Sequence, residues 1–484
     1  MRYTEIATAT PFEGAPRINL ADRVGASPGK PILIKIPTTG ARPIIHRATS
    51  LPKGLRLEND ILTGCVREEG TYEIGLIAEN ALGSCEKQLR LEIKRDTVLL
   101  TPLLGFTSWN AFGFRVTQEQ IEETAAKMCE LGLNEYGYNY VNIDSGWQGE
   151  YGGKFDAIMP NEKFPDMKGM CDRLHALGFK CGIYSTPMLH AFGTSMNRRP
   201  LPLGCTQGEP DDRFADTRGG IGVIRKERNN ALQWADWGFD YLKYDWRPSD
   251  PINAELMRQE LVKTDRDFGF CVTVKARAEY HNYWKKYCNS YRCNPDSKGS
   301  WKNLLKIYRS YFEFIDYINP GHFFDLDMLD VGKSDLFEYL EYVKKPDFGF
   351  CEDEMTVAYT MRAFLNSPIQ ISCRLSEITD FEYSLFCNEE IIAINQDVTR
   401  TAVPCLQIEN GDTCIHAFRK PLSDGSVAYA IFNLGETCEN VTIYLDGTSN
   451  VRDAWAKEEL PSSSTLSLPQ MPPHTVKVFK TNVL

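Results

Sequence analysis

ADWGFDYLKYD, residues 235–245, joins a helical run to a short strand through a single glycine. Gly238 sits where a helix C-cap glycine belongs, and YLKYD beyond it has the aromatic and aliphatic make-up of a strand covered on both faces. The same order recurs upstream in CELGLNEYGYNYVNID (129–144), with Gly132, and in HALGFKCGIYS (175–185), with Gly178. Before the first of these, Thr117 and Gln120 stand in capping-box spacing, and Ile121, Ala125, Met128 and Leu131 follow along one helical face. Helix, short loop, buried strand, repeated, predicts parallel βα units.

Eight candidate strands lie between residues 103 and 372: LLGFTSW (103–109), YVNIDS (140–145), KCGIYS (180–185), YLKYDW (241–246), GFCVTVKA (269–276), YCNSYR (287–292), GHFFDLDML (321–329) and FLNSPIQIS (364–372). That number predicts a (β/α)8 TIM barrel over residues 99–398. A doubly wound sheet is the alternative, but no GxGxxG follows the first strand.

The flanks read differently. In residues 1–98, LRLEND (55–60), TYEIGLIAEN (71–80) and KQLRLEIK (87–94) alternate apolar and polar residues between turn signals, which predicts a small β-sandwich. The stretch 51–83 also resembles the immunoglobulin-like modules attached to bacterial glycosidases, where a packing role and direct glycan binding are both open. Residues 399–484 return to short alternating strands, TCIHAFRK, VAYAIFNL, NVTIYL and HTVKVFK, and predict a C-terminal antiparallel β-sandwich. Neither flank concentrates acids, so the chemistry is expected in the barrel.

Composition narrows the partners. The 484 residues carry a net charge of −11 with no basic cluster, which argues against nucleic acid and anionic membrane. No apolar run is long enough to span a bilayer. Residues 1–20 lack the charged start and apolar stretch of a secretory signal, and the fifteen cysteines show no CxxC spacing, so a reduced, cytoplasmic setting is expected; a removed leader stays open. The seven histidines form no HxH or HExxH group, so a zinc site is not expected, and the chemistry argued below needs no metal or organic cofactor. Oligomeric state is not read from the residues.

Barrel active sites lie at the C-terminal ends of the strands. The polar and aromatic residues at those ends are Trp109, Asp144, Ser145, Tyr184, Lys243, Asp245, Lys275, Arg292, Asp296, Asp325 and Asp327. Carboxylates accept hydrogen bonds from paired hydroxyls and an aromatic face covers the apolar side of a pyranose, so this set suits a sugar. Cleaving a glycosidic bond commonly takes two carboxyl groups of different ionisation. Asp245 is the candidate nucleophile: Lys243, two residues earlier on the same strand face, would keep it ionised and be neutralised by it. Asp296, on another strand end, is the candidate acid/base, although it could equally cap the helix that SKGSWKNLLKIY predicts. Of the pair in DLD, Asp327 is expected to face inward and Asp325 to be structural. Asp330 is expected to be solvated or a cap.

These residues resemble glycoside hydrolase family 27, the α-galactosidase and α-N-acetylgalactosaminidase group of the melibiase clan. The resemblance runs in family order through GFTSWNAFG, NIDSGW, LHALGFKCGIYS, YLKYD, NSYRCNPDSKGSW, DLDML and EEIIAINQD. It implies Asp245 as nucleophile from the KYD motif, Asp296 as acid/base from R-x-x-x-D, and sugar contacts from Trp109, Asp144, Tyr184, Lys243, Arg292 and Asp327. Three departures stand out. The family's paired aspartates, which read the galactose 4- and 6-hydroxyls, are here Asp144 and Ser145. KYDWR lacks the cysteine that usually follows the nucleophile's neighbour. VTVKARAEY replaces a strand end that normally meets the sugar's 2-substituent, and Lys275 or Arg277 there could meet an acidic group on the substrate.

The expected activity is retaining hydrolysis of a terminal galactose-configured residue, α-D-galactoside first, by double displacement. Retention requires the two carboxyls roughly 5–6 Å apart. α-N-acetylgalactosaminide and β-L-arabinopyranoside are the alternative sugars. From other classes, a Schiff-base aldolase or lyase using Lys243 and a catalytically inactive sugar-binding protein remain as readings.

Overall fold

The computed structural model describes residues 2–192, 202–273, 276–312 and 315–483. Its centre is a ring of eight parallel strands: β1 Leu104–Thr107, β2 Tyr140–Asn142, β3 Lys180–Ser185, β4 Tyr241–Asp245, β5 Gly269–Thr273, β6 Ser290–Tyr291, β7 Phe323–Phe324 and β8 Ile369–Ile371. From β2 to β7 each strand pairs in parallel with its predecessor, and β8 returns to β1 through Leu104↔Ile369. Between β7 and β8 the closure is made just beyond β7, where Leu329 bridges Ile371 and donates its N–H to Gln370 O at 2.9 Å. Every expected strand segment contains one of the eight, although the strands are shorter. The first ends at Thr107, so Trp109 belongs to the short helix Ser108–Phe112 that follows. Apart from Lys180 and Lys243, the strand residues are buried, as helices on the outside and packed side chains within dictate.

The sequence signals for these units have visible causes. Thr117 and Gln120 close a capping box on the helix Gln118–Glu130, each side chain taking the other's backbone N–H. Gly238 ends the helix Glu227–Trp237 at φ 101°, and its N–H reaches the carbonyls of Trp234 and Ala235. A side chain in that left-handed conformation would be strained, so glycine turns the chain sharply into β4.

The N-terminal segment forms two sheets around one core. A four-stranded sheet (Arg23–Ala26, Gly83–Ile93, Gly70–Asn80, Ile45–Thr49) faces a three-stranded one (Ile32–Lys35, Ile61–Gly64, Leu55–Glu58), with Ile34, Leu62, Ile74, Leu76, Leu89 and Leu91 between them. This sandwich sits against the N-terminal ends of the barrel strands, opposite the mouth. Lys35 pairs with Glu135 at 3.2 Å just ahead of β2, the Ser27 N–H donates to Asp267 at 2.6 Å just ahead of β5, and Asp96 pairs with Arg258. Leu99 leads the chain into the barrel and packs with Leu103, Tyr140, Tyr241 and Cys271. A Cβ on Gly269 would stand 2.2 Å from Leu99 Cδ1 and 2.9 Å from Tyr241 Cδ2, so a larger residue would displace that plug. The position supports the packing role for this module rather than glycan binding at the active site.

Beyond the barrel, six antiparallel strands run Val403–Asn410, Thr413–Pro421, Val427–Asn433, Glu439–Asp453, Glu458–Met471 and Thr475–Val483. The longest, Glu439–Asp453, pairs with Glu458–Met471 from end to end and with Thr475–Val483 on its other edge only from Ser449 on. Register shifts between Tyr444 and Ser449 let the sheet fold over Ile415, Ile431, Val441, Ile443 and Phe479. It docks on the barrel through Trp455, whose Nε1 donates to Thr360 Oγ1 at 3.1 Å, and through the buried Lys420, whose ammonium reaches Asn366 Oδ1 at 3.0 Å and Ile394 O at 2.5 Å. No helix among the described residues is long and apolar enough to cross a membrane.

Candidate active site

A cavity of about 160 Å³ opens at the C-terminal ends of the strands. Seven of the expected residues line it: Trp109, Asp144, Tyr184, Lys243, Asp245, Arg292 and Asp296. The strand period explains the central pair. Lys243 and Asp245 leave the inner face of β4, while Tyr244 between them packs outward against Trp246 and Phe270, with ring centroids 5.2 and 6.0 Å away.

The pairing of charges differs from the expectation. Lys243 is neutralised by Asp144 at 2.7 Å, across on β2's end, and not by Asp245. Burial would lower the Lys243 pKa, but the carboxylates of Asp144 and Asp245 outweigh it and hold the ammonium well above its ordinary value. Asp245 accepts the Tyr184 hydroxyl on Oδ2 at 3.1 Å, whereas its buried Oδ1 accepts no hydrogen bond among the described residues. Burial pushes the Asp245 pKa above the usual carboxylate range; Lys243, Arg292 and the nearby Thr273 hydroxyl draw it down, and Asp296 adds to the rise. Lys243 alone therefore does not keep Asp245 in an ordinary ionised state.

Arg292, at the end of β6, forks between two acids. It holds Asp296 Oδ1 at 2.7 Å and Asp327 Oδ2 at 2.5 Å. Asp296 stands at the mouth with its side chain 60% exposed, while Asp327 is buried behind the arginine. Asp296 is not a helix cap: the helix Trp301–Tyr311 starts after Ser300. Burial would raise Asp327, but Arg292, Lys243 and the N–H groups of Ser297 and Met328 bring its pKa below the usual value.

Three other expected residues stand elsewhere. Asp327 orients Arg292 and does not line the cavity. Ser145 is buried and gives its hydroxyl to the Phe192 carbonyl, so it too stands back from the cavity. Asp325 is buried and accepts the Asp327 N–H at 2.8 Å, the structural part expected of it. Lys275 lies outside the described residues. Arg277, raised with it, is exposed and pairs with Glu279 at 3.2 Å.

Asp330 is a correction. It is neither freely solvated nor a helix cap. One oxygen accepts the Ser297 hydroxyl and the Gly299 N–H (2.7 Å), and the other accepts Asn110 Nδ2 at 2.8 Å. Burial, offset in part by the bond from Ser297, pushes its pKa up to about 6.

Sequence reasoning missed the wall opposite Asp245, built by Met328, Leu336, Phe337, Leu340 and Tyr342, and it missed Phe192 and Arg247. Most of that wall comes from the helix Asp335–Tyr339 and the turn after it, where nothing marks an apolar side chain as pocket-facing. Arg247 was visible in KYDWR, two residues past the candidate nucleophile.

Two groups of possible metal donors lie away from the cavity. In His175, Cys181 and Asp240 the carboxylate already binds His175 Nε2 at 2.8 Å and Arg266 at 2.6 Å. Burial works against that charge, yet His175 and Arg266 bring the Asp240 pKa down to about 2. The second group is Glu409, Cys414 and His416, in the C-terminal sheet, where His416 already bonds Glu409 and the Tyr308 hydroxyl, each at 2.8 Å.

Comparison with known proteins places this geometry in a family. The α-galactosidase A model matches residues 195–397, and the model of the α-galactosidase C-terminal β-sandwich matches 412–481. α-Galactosidase A of Cellvibrio japonicus is 29% identical over 358 residues, 70% of this chain and 78% of its own. Among solved structures, a Bacteroides fragilis protein assigned as an α-galactosidase/melibiase is 32% identical with a TM-score of 0.83, over 98% of this chain and 99% of its own. A second B. fragilis structure assigned as an α-galactosidase is 28% identical, with a TM-score of 0.84 over the same shares. By identity over nearly its whole length, and with the two acids set at the mouth of an eight-stranded barrel, the chain belongs to the α-galactosidase/melibiase family, glycoside hydrolase family 27.

Proposed function

We propose that this protein hydrolyses terminal α-D-galactosides by double displacement with net retention, Asp245 attacking the anomeric carbon and Asp296 serving as acid and then base. One observation carries the reading: two carboxyls face the same small cavity in opposite environments. Asp245 is buried, touched by Tyr184 and left with one unbonded oxygen, as a nucleophile needs; Asp296 stands at the solvent side, where a leaving group departs and water enters. Trp109 and Tyr184 supply aromatic surface for the sugar ring, and the Lys243–Asp144 and Arg292–Asp327 pairs present fixed donors and acceptors around it. No step calls for a cofactor.

The Schiff-base reading of Lys243 loses ground on the same geometry. An imine-forming lysine needs a lowered pKa, and this one is raised by Asp144 and Asp245. Asp245→Ala should abolish turnover of 4-nitrophenyl α-D-galactoside, and azide should restore aglycone release with a β-galactosyl azide as product. Normal hydrolysis by that variant would overturn the assignment. A matched panel with the α-N-acetylgalactosaminide and β-L-arabinopyranoside reads the sugar preference directly.

A further inference from the structure

The cavity holds more cationic charge than its own acids use. Lys243 is matched by Asp144, and Arg292 by Asp296 and Asp327. Arg247 lines the same cavity, yet among the described residues no carboxylate lies within ion-pair distance of it and its side chain donates no hydrogen bond. Its Nε is buried without a partner. A guanidinium has five N–H donors and stays charged, so leaving it partly desolvated and unpaired is costly unless something else binds there. Its guanidinium carbon stands 4.9 Å from the centre of the Phe192 ring, and the Phe192 backbone is held in turn by the Ser145 hydroxyl on its carbonyl. Lys298, exposed at the mouth, also lines the cavity without a carboxylate in range among the described residues.

We propose that Arg247 is a specificity residue for an acidic galactose-configured sugar, receiving a sulfate ester or carboxylate carried at C6. C6 is the ring substituent that bears either acid, as a 6-sulfate or as a uronate, and both oxyanions match the guanidinium fork. The inference rests on the glycosidase reading of this cavity and narrows its substrate class. Ser145 is consistent with it, since its neutral hydroxyl is turned to Phe192 and adds no negative charge on the Arg247 side.

The test uses the full chain and three substrates: 4-nitrophenyl α-D-galactoside, its 6-O-sulfate, and 4-nitrophenyl α-D-galacturonide. The wild-type protein should favour one acidic substrate over the neutral one in kcat/KM by roughly ten- to hundredfold, the range of a charge-assisted hydrogen-bond pair. Which acid is preferred separates the sulfate from the carboxylate source. Arg247→Met, which keeps the stem against Phe192, should bring the acidic-to-neutral ratio to one or below, and Arg247→Lys should restore part of it. A wild-type ratio at or below one for both acids, or a ratio that Arg247→Met leaves unchanged, overturns the proposal. Calorimetry on the Asp245→Asn protein gives a readout that needs no turnover: galactose 6-sulfate or galacturonic acid should bind more tightly than galactose, and equal affinities count against the proposal. Loss of turnover on all three substrates with the binding preference intact would refute the glycosidase reading alone.

Discussion

Asp330 makes no contact with the cavity, yet it ties together the two segments that carry Asp296 and Trp109. Its carboxylate receives Ser297 and Gly299 from the loop that follows Asp296, and Asn110 from the helix residue next to Trp109. In Asp330→Ala three donors lose their acceptor at roughly 1–3 kcal/mol each if left dry. The site is half-buried, so water replaces part of this, and a net loss of about 2–3 kcal/mol is expected. A shift of about 1 Å in Asp296 lowers kcat by up to about 100-fold. Asp330→Asn should do far less, because its amide oxygen can keep Ser297 and Gly299 while Asn110 turns its own amide to meet the new NH2; about 1 kcal/mol is expected. The pH dependence is the sharper readout. Asp330 has a folded pKa raised to about 6, so between pH 6 and the ordinary carboxylate value it is protonated in the folded protein and ionised in the unfolded one. Lowering pH through that window stabilises the fold, but the neutral carboxyl accepts from Ser297 and Gly299 less strongly than the carboxylate does, which loosens the loop. The profile of kcat/KM should therefore carry an acidic limb near pH 6 that Asp330→Asn removes. An identical limb in Asp330→Asn, or an Asp330→Ala protein with wild-type kcat, would refute the positioning role.

Two further outcomes follow from the same structure. Tyr184→Phe removes the hydrogen bond drawn to Asp245 Oδ2, so kcat/KM should fall roughly tenfold, and in an Asp330→Asn background the remaining acidic limb should move to higher pH, because the ionised carboxylate has lost a donor; an unmoved limb would count against Asp245 as its source. Lys420, buried between the barrel and the C-terminal sheet, has its pKa brought down to about 7 by burial against a weaker pull from Asp397. Below pH 7 it is charged in both states and the fold bears the full desolvation penalty; as pH rises from about 7 toward the unfolded value near 10.4, folding regains that energy. Thermal midpoints should rise from pH 7 to 9 in the wild type, with a flatter profile in Lys420→Met; the reverse slope would overturn the assignment.

The barrel was legible because its units carry local signals that act before tertiary packing does. Gly238 at φ 101° and the Thr117–Gln120 box are set by backbone sterics and orphan N–H groups, and any chain with those residues meets the same demand. Strand ends were overrun, by two residues at Trp109, three in YVNIDS and five in GHFFDLDML; at Trp109 the reason is that an aromatic residue looks the same in a last strand position and in a first helical turn. The charge pairing was less legible. A strand period says that Lys243 and Asp245 share a face, but not that Asp144, a hundred residues upstream, approaches the same ammonium more closely. Asp330 reads as a surface acid until three donors are found converging on it from residues 110, 297 and 299.

That distribution of partners bears on the chemistry. Were Lys243 closed on Asp245, the proposed nucleophile would be held ionised, with an ammonium competing for the lone pair that must attack. Instead the lysine charge is taken up by Asp144 and the arginine charge by Asp296 and Asp327, which leaves Asp245 as the cavity acid with a buried oxygen that no described residue bonds. The cations still act on it through space and offset part of the desolvation without occupying that oxygen. A carboxylate in this setting is strained toward charge relief, and an anomeric carbon gathering positive charge above it supplies that relief in the transition state more than in the ground state, which is where rate enhancement originates. The same reasoning bears on Arg247: with Lys243 and Arg292 taken up by acids, this cation has no counter-charge among the described residues and is positioned for one that arrives with the substrate.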